Sequence, residues 1–176
     1  MKNPQTILVT GASSGLGWAL ALGYAKPGRT LLVTGRSAGR LAELSSEIEK
    51  RGARALSKVI DVVNAVAMKE WVEASFREVN GIDLLIANAG ISAGTKGMGG
   101  VESPEQTRVI FETNVMGKLN TVLPAIPLMI ERGRGQIGLM ASLAGFRGLP
   151  TTPSYSASKG AVRLYAEGLR GNLQKH

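Results

Sequence analysis

The chain of 176 residues contains no cysteine, which excludes disulfides and thiolate metal sites. Its single histidine is the last residue, His176, so an acyl-transfer triad built on an imidazole base is poorly supported. Aromatic residues make up only 5% of the sequence, and no basic run is interleaved with them. No nucleic-acid partner is therefore expected, despite a formal net charge of +8. That charge comes from 21 Lys and Arg against 13 Asp and Glu; it is scattered and reads as a basic surface. No stretch approaches the roughly 18–20 apolar residues that cross a bilayer. The opening residues, MKNPQTILVTGASSG, hold too short an apolar run for a secretory signal and pass straight into a strand-like segment. No membrane partner is expected, and the expected compartment is cytoplasmic.

What is present is ordinary in bulk: 44% apolar and 19% charged residues, in a chain long enough for one domain, 1–176, with a real core. Short β-rich runs alternate with helix-like segments. The runs at 5–11, 30–35, 53–61, 82–88 and 135–142 predict strands, several of them apolar throughout, as in strands covered on both faces. Helices are predicted over 15–26, 37–51, 64–79, 104–131 and 154–174. Ser103 and Pro104 mark a helix start, Pro27–Gly28 and Gly52 mark stops, and Pro124 and Pro127 should kink or shorten the long fourth helix. This alternation implies an α/β fold, a doubly wound parallel sheet with right-handed crossovers. The glycine-rich piece at 91–100 is expected to be a mobile loop over the carboxyl edge, where ligands bind in such folds.

The first strand leads into TGASSGLG at 10–17. Gly11 permits the tight turn, Gly15 lets backbone approach a phosphate, and Gly17 lets the helix pack close to the strand. The helix start then offers N–H groups and a positive dipole end to a pyrophosphate. Ser13 or Ser14 either adds a hydroxyl to a cofactor 2′-phosphate or acts as a plain turn residue, and Leu16 completes the expected contact set. The spacing is G-x-x-x-G-x-G rather than G-x-G-x-x-G. The second strand ends in Gly35 where NAD-binding units place an acid for the ribose 2′-hydroxyl, and Arg36 follows. A carboxylate would repel a 2′-phosphate, whereas a guanidinium binds one, so NADP is favoured over NAD.

With the later segments, the chain resembles the short-chain dehydrogenase/reductase family. The resemblance rests on TGASSGLG at 10–17, Asp61–Val62, NAG at 88–90, Asn114 within ETNVMG, Ser142 after the fifth strand, and YSASK at 155–159. It implies a Rossmann-like fold, an NAD(P) cofactor, and hydride transfer between that cofactor and a small alcohol or carbonyl substrate. It also implies that Asp61 and Val62 lie near the adenine and that Asn88 and Gly90 line the cofactor side of the fourth strand. Ala87 stands where the family commonly has a second asparagine.

A carbonyl that accepts hydride gains negative charge and must collect a proton. Tyr155 is the candidate donor, and Lys159, four residues on, shares its helical face. The ammonium favours phenolate over phenol and offers hydrogen bonds to the ribose hydroxyls. Ser142 would donate to the substrate oxygen. By resemblance, Asn114 holds a water that links Lys159 to solvent. This set requires no metal.

Proteins of this family continue for several dozen residues past the helix with the Tyr and Lys. The sheet is therefore expected to be incomplete at its C-terminal end, with the fifth strand as a bare apolar edge open to pairing. By resemblance, helices 104–131 and 154–174 form a homo-oligomer face. Two alternatives to an NADP-dependent oxidoreductase stay open: a non-catalytic dinucleotide-binding or interaction module, and an inactive fragment of such an enzyme.

Overall fold

The computed structural model describes residues 3–95, 97 and 100–175; Lys96, Met98 and Gly99 of the glycine-rich loop, and His176, lie outside them. Five strands form one parallel sheet in the order β3-β2-β1-β4-β5. They are β1 (Thr6–Thr10), β2 (Thr30–Gly35), β3 (Arg54–Val59), β4 (Leu84–Ala87) and β5 (Gln136–Leu139). Ile7 sits opposite Leu31 on one side and Leu84 on the other, so the in-phase apolar runs stack into a continuous band. Alternate residues of each run face opposite sides. Ile7, Val9, Leu31 and Val33 pack with Ala21, Leu41, Leu44 and Ile48 of α1 (Gly15–Tyr24) and α2 (Ala38–Lys50). Leu8, Leu32 and Leu85 pack with Met68, Val72 and Phe76 of α3 (Ala65–Glu78) and with Val122.

Ser103 caps its helix as expected, and two other helices start by the same chemistry. The Ser37 and Asn64 side chains accept from the Arg40 and Ala67 N–H groups, and Ser103 accepts from Gln106 ahead of Pro104. Gly52, at φ +78°, follows the end of α2 in the left-handed region, whereas α1 stops earlier than expected, at Tyr24 with extended Ala25 as its C-cap, and Gly28 (φ +80°) lies in the turn beyond.

The fourth predicted helix differs from expectation. It is α4 (Pro104–Phe111), a π-helical turn (Glu112–Met116), α5 (Gly117–Val122) and α6 (Ala125–Glu131). Only Pro124 breaks it, standing at the N-cap of α6; Pro127 falls in the first turn of α6, where no intrahelical N–H is owed. The last helix, α7, spans Pro153–Asn172.

β5 pairs only with β4 among the described strands, as the expected edge. Beside it a groove of about 520 Å³, lined by Met129, Ile137, Leu139, Leu169 and Leu173, runs between α6 and α7.

Asp83, buried just before β4, fastens the opposite end of the sheet from the site. Its carboxylate accepts from the backbone N–H groups of Gln5 (2.8 Å) and Thr6 (3.3 Å) and pairs with Arg132 at 3.0 Å. Burial opposes its ionisation, but the two N–H groups and the guanidinium together hold its carboxyl below the usual range. A depressed carboxylate stabilises the fold above its unfolded pKa of about 3.9 and ceases to do so as pH falls through its folded value. Asp83→Ala should therefore lower unfolding free energy at pH 7 by about 2–4 kcal/mol in urea titrations, with the difference shrinking below about pH 4.

Candidate functional site

β1 and β4 are neighbours at the centre of the sheet, while the chain after β1 turns to one face and the chain leading to β4 comes from the other. A crevice opens at their carboxyl ends, the usual ligand position in such sheets. It is a cleft of about 420 Å³.

One end is built by the glycine turn. Gly11 and Gly15 sit at φ +65° and +54°, where a side chain would be strained. A Cβ on Gly11 would lie 2.7 Å from the Ala89 Cα, so the turn rests directly on the segment after β4. Ser14 is the N-cap residue of α1, but its hydroxyl makes no capping bond and the helix start is left open. Asn88 straps the crevice below, donating to the carbonyls of Thr10 (3.0 Å) and Gly11 (3.4 Å). Gly35 is buried, and a Cβ there would lie 2.8 Å from Ser13 Oγ. Ser13 thus occupies the space an acidic side chain would need, while exposed Arg36 lines the rim. Asp61 accepts from the Val63 N–H, and buried Val62 packs against Gly117.

The other end carries the polar set. Ser142 caps a short 3₁₀ turn, Leu143–Gly145, accepting from the Ala144 N–H at 3.2 Å, which leaves its O–H free to donate. No protein group among the described residues engages the Tyr155 hydroxyl. The Lys159 Nζ lies 5.5 Å from the Tyr155 ring centroid and donates to the Met140 carbonyl at 3.0 Å. Lys159 is 4% exposed, and burial lowers its pKa from the ordinary lysine value. Of the predicted residues, Gly11, Ser13, Ser14, Gly15, Leu16, Arg36, Asp61, Val62, Asn88, Gly90, Ser142, Tyr155 and Lys159 all line this one cleft.

Gly17 and Asn114 do not line it; they sit behind its walls. Gly17 is buried under the turn. Asn114, fully buried in the π turn, accepts from the Ile91 N–H (2.8 Å) and donates to the Ile91 carbonyl (2.9 Å) and Ser158 Oγ (3.0 Å). Ser158 in turn donates to the Tyr155 carbonyl at 2.7 Å. Asn114 thereby brackets the post-β4 segment to the first turns of α7.

Two residues escaped the sequence reading. Arg40 stacks on Trp18 at 4.6 Å and donates to the Ser13 carbonyl at 3.4 Å; its signal was its position four residues after Arg36. Lys118, four residues after Asn114, is buried and donates to the Ala89 carbonyl. Among the described residues no His, Cys, Asp or Glu cluster fit for a metal ion exists, and no helix is long and apolar enough to cross a membrane.

The cleft fits an elongated dinucleotide: glycines leave backbone open at one end, and at the other Gly90, where a Cβ would crowd Asn114 Oδ1 at 3.0 Å, lets the wall close against the buried Asn114. Comparison with known proteins points the same way. A family model described as short chain dehydrogenase matches residues 5–176. An uncharacterized oxidoreductase of Myxococcus xanthus is 40% identical, covering 97% of this chain and 66% of that protein. A ketoacyl reductase of Nostoc is 34% identical, covering 96% of this chain and 58% of that protein. The chain thus spans about three-fifths to two-thirds of these relatives' length. Among solved structures, NAD+-bound xylitol dehydrogenase superposes with a TM-score of 0.91 at 28% identity, covering 97% of this chain and 65% of that one. L-sorbose reductase from Gluconobacter frateurii, complexed with NADPH and L-sorbose, gives 0.87 at 30% identity, covering 97% and 65%.

Proposed function

Because the chain belongs to the short chain dehydrogenase family, we propose that it is an oxidoreductase that works with NADP(H) on a small alcohol or carbonyl compound. The observation that carries this reading is one cleft joining the glycine turn and Arg36 to Ser142, Tyr155 and Lys159 across the β1–β4 crevice.

The bound dinucleotide supplies the hydride. Gly11, Gly15 and the open start of α1 hold its pyrophosphate, with Ser13, Ser14, Leu16 and Gly17 shaping the turn. Asp61, Val62, Asn88 and Gly90 flank its adenosine and central portions. Tyr155 delivers the proton to the substrate oxygen in reduction and removes it in oxidation. Lys159 keeps positive charge beside the phenol and bonds the ribose. The free O–H of Ser142 donates to the same substrate oxygen and stabilises its developing charge. Asn114 holds the segment and α7 in register, and in this reading it also carries the water that connects Lys159 to solvent.

The NADP preference rests on Arg36 at the rim and on Ser13 filling the space beside Gly35. Reduction of an aldehyde and ketone panel should proceed with NADPH at a kcat/KM at least about tenfold above NADH, and Arg36→Asp should reverse that order. Equal use of both cofactors by the unaltered protein would remove the NADP assignment; binding of neither would remove the dinucleotide reading. A second reading, dinucleotide binding without turnover, is favoured by the openness of the Ser142 end, where neighbouring Leu143 is 88% exposed. Binding of NADPH with no turnover on the panel would select it. The homo-oligomer belongs to the same proposal: Val109 and Phe111 on α4 and Leu164 on α7 leave apolar surface exposed on the two helices concerned.

A further inference from the structure

Lys118 is 1% exposed and among the largest fully buried side chains. Its ammonium donates to the carbonyl of Ala89, in the segment that floors the cleft. It does not stand alone there. The point that a Gly90 Cβ would occupy lies 3.6 Å from Lys118 Nζ and 3.6 Å from Lys159 Nζ. Two lysine heads from different helices therefore converge behind one glycine of the cleft wall.

Among the described residues no carboxylate pairs with either ammonium; half-buried Glu102 accepts from the Ser154 N–H at the start of α7. β4 carries no charged residue. Glu112 of the π turn and Glu131 of α6 are exposed. On α3, Lys69 pairs with Glu73 and Glu78 with Arg54, and Glu70 and Arg77 are exposed. α7 presents Tyr155 and Lys159, and Asp61 at the end of β3 bonds the Val63 N–H. Burial, and then repulsion from Lys159, lower the Lys118 pKa to about 7. Lys118 thus changes charge in the neutral range, unlike an exposed lysine.

We propose that Lys118 is a specificity-determining group of the dinucleotide site, which in its protonated form disfavours the oxidised cofactor relative to the reduced one. The inference rests on the dinucleotide reading above, which brings the nicotinamide to the Ser142–Tyr155 end. The oxidised ring is cationic and the reduced ring neutral, so a buried charge behind Gly90 repels only the first. Neutral Lys118 keeps its hydrogen bond to Ala89 but loses this discrimination. By linkage, binding of the oxidised form lowers the proton affinity of Lys118 more than binding of the reduced form does.

The test is the ratio of dissociation constants, NADP+ over NADPH, measured by calorimetry on the full chain between pH 5.5 and 8.5. The 2′-phosphate titrates near pH 6 but is common to both ligands, so it cancels in the ratio. The ratio should rise roughly tenfold as pH falls through about 7, the scale of like-charge repulsion in a partly buried site. Lys118→Gln keeps a donor for Ala89 without the charge, and should flatten the dependence. A ratio independent of pH in the unaltered protein, or an unchanged dependence in Lys118→Gln, overturns the inference alone. Failure of both ligands to bind overturns the dinucleotide reading and the inference with it. Lysine Cε NMR on the unaltered protein gives a measurement that needs no variant. A resonance titrating near pH 7 and shifted further by NADP+ than by NADPH supports the role; titration of every lysine above about pH 9 overturns it.

Discussion

Tyr155→Phe is expected to lower kcat by about 10²- to 10⁴-fold while leaving NADPH affinity within a few-fold. The substitution removes one oxygen and keeps the ring. No protein group among the described residues engages that oxygen, so its loss orphans no buried partner. The fold around it is fixed by other bonds: Ser158 to the Tyr155 carbonyl, Asn114 to Ser158, and Lys159 to the Met140 carbonyl. Lys159 and Ser142 stay in place to hold cofactor and substrate oxygen. The loss should therefore appear in turnover and not in binding or in the melting temperature. A fall of less than about tenfold would mean that some other group carries the proton.

Gly17→Ala should be the most damaging single methyl in the chain. Its Cβ would run into the Gly11 carbonyl and lie 2.6 Å from Asn88 Nδ2. Both neighbours are fixed: Gly11 by its turn against Ala89, and Asn88 by its bonds to Thr10 and Gly11. Relief requires α1 to lift off the strand, which opens the phosphate end and frees the strap together. A loss of about 2–4 kcal/mol in denaturant unfolding is expected, with dinucleotide binding weakened at least about a hundredfold. Gly15→Ala is the control. Nothing lies within 4 Å of a Cβ there, but φ is +54°, so only conformational strain of about 1–2 kcal/mol should appear. Equal effects at the two positions would show that crowding under the turn is not what demands Gly17.

Much of this was legible in the sequence because it is local. TILVT, TLLVTG and LLIA carry near-continuous apolar runs, and each became a strand covered on both faces. Ser37, Asn64 and Ser103 cap the helices they precede because a cap needs only its neighbours. The cleft residues lie in short motifs at strand ends, and a parallel sheet places all strand ends on one edge. What was not legible depends on tertiary burial. Lys118 in sequence is one more lysine in a helical stretch; only packing against β4 and α7 makes it a buried cation. The π turn holds Asn114, whose partners Ile91 and Ser158 lie 23 and 44 residues away. Pro127 looked like a breaker because the restart of the helix at Ala125 could not be seen.

The Asn88 strap also bears on how a ligand comes and goes. It spans the split between the two central strands and holds the walls of the cleft together at their base. Farther out, the Thr95 N–H donates to the Thr151 carbonyl at 2.8 Å, tying the segment after β4 to the one that enters α7. Entry and exit that leave the Asn88 bonds intact are then the less costly route.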